Sequence, residues 1–261
     1  MHKKKSSAWQ VAAGWRDALG ISDSEHVALV GGGGKTTTMW SMARELSRRA
    51  ATVVTSTTKA GEVPLGIPVV TWAAELPGHD LQESMSTALQ LSNLVALARG
   101  VRDRRLEGVS PVVVDEVFFR CGASYIINEA DGARMLPFKA PADHEPVIAS
   151  TTTLAVIVVG LDALGAPIDE AHVHRPEQIA AVTGAARGAT LSPDHIAAIV
   201  REYLRKIEGL ESVRAAALIN KADSGPEDPG VTSLTSALDG LDLAAIVAAA
   251  QLGKLRIWAR R

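Results

Sequence analysis

The first clear rhythm in the chain is helical. Trp9, Val11, Ala12, Trp15 and Leu19 recur at the spacing of one helix face, which predicts a leading amphipathic helix over residues 8–19. The pattern then changes to short apolar runs that end in glycine or polar residues and alternate with helical stretches. His26–Val30 predicts a strand, Thr37–Arg49 a helix and Thr52–Thr55 a second strand. Ser124–Asn128, Leu154–Val159 and Ala215–Ile219 are further apolar or β-branched runs, as expected of strands buried on both faces. Strands separated by helices imply an α/β fold: a mostly parallel sheet with helices on both faces, in three layers.

Two stretches fit this alternation less simply. Pro64–Pro77 holds three prolines and leaves room for one short edge strand, Val69–Trp72. Residues 169–209 show no clear strand but two helix starts, Arg175-Pro176-Glu177 and Ser192-Pro193-Asp194, the latter with Ser192 as N-cap. They are expected to form a helical insert on the sheet's edge. Gly225–Gly230, with Pro226 and Pro229, reads as a polar loop. There is no internal repeat, and a single domain over residues 1–261 is expected.

Composition narrows the function classes. Apolar residues make up 47% and charged residues 21% of 261, with a net charge of −2. That is an ordinary globular balance without the electrostatic footprint of a nucleic-acid or anionic-membrane partner. One cysteine, Cys121, excludes an internal disulfide and suits a reducing compartment. The basic start Met1-His2-Lys3-Lys4-Lys5 is followed by no apolar stretch, because Gln10, Arg16 and Asp17 interrupt it. Leu154–Leu161 and Leu243–Ala250 are too short to span a bilayer. A cytoplasmic location is expected.

The strongest chemical signal is Gly31-Gly32-Gly33-Gly34-Lys35-Thr36-Thr37, set between a strand and a helix. Glycines let successive backbone N–H groups curl around phosphate oxygens, and the helix points its positive end at the same place. Lys35 is expected to reach the β- and γ-phosphates and Thr36 to bind Mg²⁺. The strict phosphate-loop pattern needs a glycine where Leu29 stands. The segment instead resembles the loop of the signal-recognition and ParA-like branch of P-loop NTPases. Many members there carry a lysine at the position of Val30, which reaches a partner's nucleotide. Val30 cannot do that, which argues against dimer-activated hydrolysis of that sort.

Metal and water need acidic partners. Glu129 and Asp131 stand two apart at a strand's end, where ligands of open α/β sheets lie, and both are candidates for Mg²⁺ and the attacking water. Thr57 and Thr58, after the second strand, are candidates to close on a γ-phosphate. Asn220-Lys221-Ala222-Asp223 matches the N-K-x-D signature of guanine-nucleotide-binding proteins. An aspartate there accepts two hydrogen bonds from guanine that adenine cannot offer. Asn220 would touch the base edge and Lys221 lie over the ring. Other features read as bland. His172 and His174 beside Asp169 and Glu170 read as solvated loop histidines. Arg99, Arg102, Arg104 and Arg105 read as a solvated helix end, and Cys121 as a small buried hydrophobe.

Several segments together carry a family resemblance. They are Val30–Thr37, then Glu129-Ala130-Asp131-Gly132-Ala133-Arg134 with Leu136-Pro137-Phe138-Lys139-Ala140-Pro141, and Asp143-His144-Glu145-Pro146-Val147. Val159–Gly165, Val173–Glu177 and Asn220–Asp223 complete the set. This resembles the YqeC family, accessory proteins of selenium-dependent molybdenum hydroxylases. The resemblance implies a P-loop protein that uses GTP or ATP with Mg²⁺ in maturing such enzymes. Its partners would be a molybdenum hydroxylase or a pterin or selenium cofactor intermediate. Lys35, Glu129 and Asp131 are then the expected catalytic set, and Arg134, Lys139 and Arg175 the candidates for an anionic second substrate. Two alternatives remain open: a non-hydrolytic chaperone for a phosphorylated cofactor, and a phosphotransferase.

Overall fold

A computed structural model describes residues 8–208, 210, 213–251 and 254–261; the basic start at residues 1–5 lies outside them. The chain opens with β1 (Gln10–Val11), α1 (Trp15–Leu19), β2 (Glu25–Gly31), α2 (Lys35–Leu46) and β3 (Thr52–Ser56). Next come β4 (Lys59–Glu62), β5 (Val69–Thr71), α3 (His79–Leu91), β6 (Leu94–Ala98), β7 (Gly100–Arg102) and β8 (Arg105–Glu107). The second half runs through α4 (Pro111–Arg120), β9 (Tyr125–Glu129), β10 (Phe138–Lys139), β11 (Leu154–Gly160) and β12 (Val173–His174). It continues with α5 (Pro176–Thr183), α6 (Pro193–Ile207), β13 (Arg214–Asn220), α7 (Pro229–Leu238), β14 (Ala245–Ala250) and β15 (Arg256–Arg260).

Ten of the strands form one sheet in the order β1-β15-β14-β13-β11-β2-β9-β3-β6-β5. All neighbours from β14 to β5 pair in parallel, and β15 and β1 add an antiparallel edge. Every residue of β2 and of β11 is buried, as strands covered on both faces require. One face carries α1 and α2, which set Trp15, Met39, Met42 and Leu46 against Val27, Leu29, Val156 and Leu218. The other carries α5 to α7 over Ala28, Val30 and Ile157, and α3 with α4 over Val53, Val95 and Ile126. This is the three-layer α/β architecture expected from the sequence. After β2 the chain moves toward β3, whereas β11 and β13 lie on the other side of β2. The carboxyl end of β2 therefore lies at the point where the winding reverses, the usual ligand crevice of such sheets.

Four local expectations are corrected. The leading helix is only α1. Gln10 and Val11 pair instead with Ala259 and Trp258 of β15, and the Glu45 carboxylate caps the helix start by accepting from Trp15 N and Arg16 N at 2.8 and 2.9 Å. The helices of the 169–209 region do not sit at the sheet's edge. They form the crossover between the parallel neighbours β11 and β13, so α6 must cover the sheet, and its Ile196, Val200 and Tyr203 join that core. The Arg99–Arg105 run is no helix end. It enters the β7–β8 hairpin, whose turn holds Asp103 and Arg104 at φ 49° and 61°. The helix after the glycines starts at Lys35, two residues earlier than the apolar spacing suggests, and ends at Leu46. Val69–Thr71 does form the edge strand β5. Among the described residues no helix is long and apolar enough to cross a membrane.

At the amino end of β2, away from the glycines, His26 is wholly buried with Nδ1 2.7 Å from Thr151 Oγ1. Burial pushes its pKa down to about 4, against the pull of Asp115. The folded state thus holds a neutral imidazole that the unfolded chain protonates near pH 6.5. Its contribution should be complete above pH 6.5 and fall by roughly 3 kcal/mol as pH drops toward 4. Urea unfolding across that range should show a flatter acid slope for His26→Leu than for the wild type.

Candidate functional site

The glycine loop is shaped by contacts as much as by freedom. Gly33 and Gly34 take φ 85° and 115°. A Cβ on Gly33 would stand 2.2 Å from Gly160 N, and one on Gly34 2.3 Å from Asn220 Nδ2. Any side chain there meets both a left-handed backbone and an occupied space. Because α2 begins at Lys35, the N–H groups of its first turn open toward the loop without intrahelical partners. Lys35 folds back over it. Its ammonium donates to Gly31 O at 2.6 Å and lies 3.1 Å from Asp131 and 3.7 Å from Glu129.

Glu129 ends β9 beside Leu29 of β2, so the strand register itself delivers its carboxylate to the loop. Glu129 Oε2 accepts from the Thr36 hydroxyl at 2.9 Å. Asp131, two residues on, is fully buried. Its Oδ2 accepts from Gly31 N at 3.0 Å and from the Tyr203 hydroxyl at 2.7 Å, and lies 3.0 Å from Lys139 Nζ. Lys139, also wholly buried, donates to Glu145 at 2.5 Å and to Gly132 O at 2.8 Å. Glu145 in turn accepts both guanidinium nitrogens of Arg175. Three cations (Lys35, Lys139, Arg175) thus face three carboxylates (Glu129, Asp131, Glu145), a balance that burial makes obligatory.

The titration behaviour follows this arrangement. Burial opposes the Lys35 charge, yet Asp131 and Glu129 overcome it and raise its pKa. Burial lifts the Glu129 carboxyl, with Lys35 and Thr36 working against it. For Glu145 burial is outweighed by Arg175 and Lys139, which hold its pKa down to about 2. Burial pushes the Tyr203 phenol well up, reinforced by Asp131, so it stays a hydrogen-bond donor.

Residues 27–177, more than half of the chain, match the family model of the YqeC protein. The chain belongs to the YqeC family. A relative from Escherichia coli (strain K12), which carries the name Uncharacterized protein YqeC, is 32% identical over 178 residues, covering 67% of this chain and 67% of that protein. No solved structure matches. The matched YqeC segment contains the glycine loop and all six charged residues of the ion network, and it stops before Asn220.

In this YqeC chain the later strands also reach the loop. Asn220, at the end of β13, donates to Gly33 O at 2.7 Å. Gln251 donates to Asn220 Oδ1 at 2.9 Å and to Thr38 Oγ1 at 2.8 Å, tying β14 to α2. Lys221 and Asp223 are exposed; Lys221 pairs with Asp162 at 2.5 Å, and the Asp223 carbonyl accepts from Arg256 at 2.6 Å. Thr57 lies beside Glu129, its N–H on Glu129 O at 3.2 Å and its hydroxyl on Val147 O at 2.5 Å. Thr58 N donates to Ser56 Oγ at 3.0 Å. Of the three second-substrate candidates, Lys139 and Arg175 are engaged by Glu145, and Arg134 alone is exposed.

Tyr203, Glu145 and Gln251 were not foreseen as members of this site. Glu145 lies within the Asp143–Val147 run, a signal that was available. Tyr203 sits mid-helix, 72 positions from Asp131, and no local pattern marks it. Thr36 and Glu129 present hard oxygen donors that fit Mg²⁺. The described residues hold no cluster of three or more His, Cys, Asp or Glu that could cage a metal alone. A cation carried in by phosphate oxygens matches that sparse donor set. Of the two bland readings, the one for Cys121 stands and the one for the histidines holds for His172 alone. Cys121 is buried with its thiol pKa pushed up to about 11 by burial and Glu116. His172 is exposed and pairs with Asp169 at 2.7 Å, but His174 is no solvated loop residue. It lies half-buried in the short strand β12 beside Lys139, in a region where no strand was expected, and burial with Arg175 and Lys139 pushes its pKa down to about 4.

Asp131→Asn should leave Lys35 and Lys139 undercompensated and destabilise the protein by about 3–5 kcal/mol. Tyr203→Phe, which removes one hydrogen bond to a charged group, should cost about 1.5–3 kcal/mol. Chemical denaturation measures both, and equal small losses would deny the network its structural weight.

Proposed function

We propose that this YqeC-family protein binds a nucleoside triphosphate with Mg²⁺ on the Gly31–Thr37 loop, prefers guanine, and hydrolyses the nucleotide while assisting maturation of selenium-dependent molybdenum hydroxylases. The observation that carries this reading is convergence. Side chains from the ends of β9 and β13, far apart in sequence, meet one glycine loop at a helix start. Lys35 would move from Gly31 O to the β- and γ-phosphate oxygens, trading one acceptor for charged ones. Thr36 and Glu129 would hold the metal, which when bound neutralises phosphate charge. Glu129, which takes the Thr36 hydroxyl on Oε2 and has Lys35 only at 3.7 Å from Oε1, would also orient the attacking water. Asp131, enclosed by Gly31, Tyr203 and Lys139, would act by positioning the loop and Lys35. Asn220 would brace the loop while Asp223 reads the base. The maturation role comes from the family resemblance, not from site geometry.

That same enclosure of Asp131 favours one second reading, a binding module that holds a phosphorylated cofactor without hydrolysing it. Turnover of GTP with Mg²⁺ alone selects the hydrolase; tight binding without turnover selects the module.

Lys35→Ala should abolish triphosphate binding and, because it strands the buried Asp131 and Glu129 carboxylates, also lower stability; circular dichroism identifies the folded fraction and equilibrium dialysis reads its affinity. Retained affinity in the folded variant would sink the loop assignment. Wild type should favour GTP over ATP by about tenfold or more, the worth of one charge-assisted hydrogen bond. Asp223→Ala should lose most of that preference and little phosphate affinity. Equal GTP and ATP affinities in the wild type would refute the base assignment.

A further inference from the structure

The segment between Asp131 and Lys139 does more than join two members of the ion network. Leu136 presents its carbonyl to Gly33 N at 3.0 Å, and Pro137 presents its carbonyl to Gly160 N at 2.9 Å. The same oxygens lie 2.9 and 2.7 Å from where a Cβ on Gly32 and on Gly33 would stand, so the segment rests on the loop itself. A glycine loop that cradles phosphate needs its inward amides as donors. The Gly33 amide is already given to Leu136. To reach this position the chain puts two consecutive non-glycine residues, Arg134 and Met135, at φ 50° and 63°. That backbone is disfavoured by L side chains and persists only where surrounding contacts hold it. It also leaves Met135 88% exposed.

We propose that Ala133–Pro137 is a strap that occupies the phosphate cradle of the free protein and is lifted by an incoming nucleoside triphosphate. This rests on the nucleotide reading above. Both ends of the strap are fixed. Lys139 holds Gly132 O at 2.8 Å, and Phe138 and Lys139 pair with Val173 and His174 of β12. Motion is therefore confined to the five residues between, and release of the left-handed pair favours the lifted state. Arg134 and Met135 then report nucleotide occupancy at the surface, where a partner protein can read it.

Two measurements on the full chain test this. Trypsin cleavage of the Arg134–Met135 bond, followed by mass spectrometry, should accelerate about tenfold or more with saturating GTP or ATP and Mg²⁺, because a lifted strap can adopt the extended form a protease needs. The double variant Arg134→Gly, Met135→Gly relaxes the resting strap, so its nucleotide affinity should fall by about threefold to tenfold. Inserting two glycines between Arg134 and Met135 loosens the strap and should raise affinity. Nucleotide that binds the wild type while cleavage and both variant affinities stay unchanged overturns the strap and leaves the nucleotide reading standing. Failure of both the wild type and the lengthened variant to bind removes the nucleotide reading, and the strap with it.

Discussion

A carboxylate cut off from water must find its charge and hydrogen-bond partners where it stands, and Asp131 meets that demand with groups from four parts of the chain. It takes the Gly31 amide from the end of β2, the Lys35 ammonium from the start of α2, the Tyr203 hydroxyl from α6 and the Lys139 ammonium from β10. Each contact fixes an element that would otherwise be free to slide. The glycine loop cannot drift from β9, and the crossover helix α6 is pinned above the sheet. Removing the carboxylate would strip the Gly31 amide and the Tyr203 hydroxyl of this acceptor and leave Lys35 and Lys139 to Glu129 and Glu145, with one buried negative charge too few.

The parallel sheet makes such a meeting possible. Strands running the same way deliver their carboxyl ends to one edge, and there β2, β9, β11 and β13 supply Gly31, Glu129, Gly160 and Asn220 side by side. The apolar strands fix the positions of these groups through register, since Leu29 opposite Glu129 and Asn220 opposite Gly160 follow from pairing alone. The polar chemistry at the edge is thus set by the core beneath it. A slip of one residue in any of these strands would turn its terminal group to the other face.

Much of this was legible in the chain. Strands rich in valine, isoleucine and leucine announced themselves, as did the glycine run and the Glu129–Asp131 pair. The Ala-rich strands β6 and β14 were not read as strands, because Leu94–Ala98 and Ala245–Ala250 carry residues that suit a helix as well and contain little β-branching. The leading segment misled for a different reason. Its helical spacing is real, but unpaired backbone on β15 offered Gln10 and Val11 a better bargain than another helical turn. Long-range partners were the least visible. Tyr203 meets Asp131 only because α6 crosses the sheet, and Lys139 and Arg175 read as open anion sites because Glu145 was not seen to lie between them.

The charge balance of the buried network has an evolutionary consequence. Each of its members is neutralised by at least one other, so a single replacement creates a stranded charge before any second replacement can repair it. Drift at these positions must therefore pass through a poorly folding intermediate or proceed by near-simultaneous changes, in which Glu145 could leave only with both Lys139 and Arg175. Across YqeC sequences the expected trace is all-or-nothing: either the whole set is kept, or its charged members are replaced together. Intermediate combinations should be scarce, whatever the pressure on the loop itself.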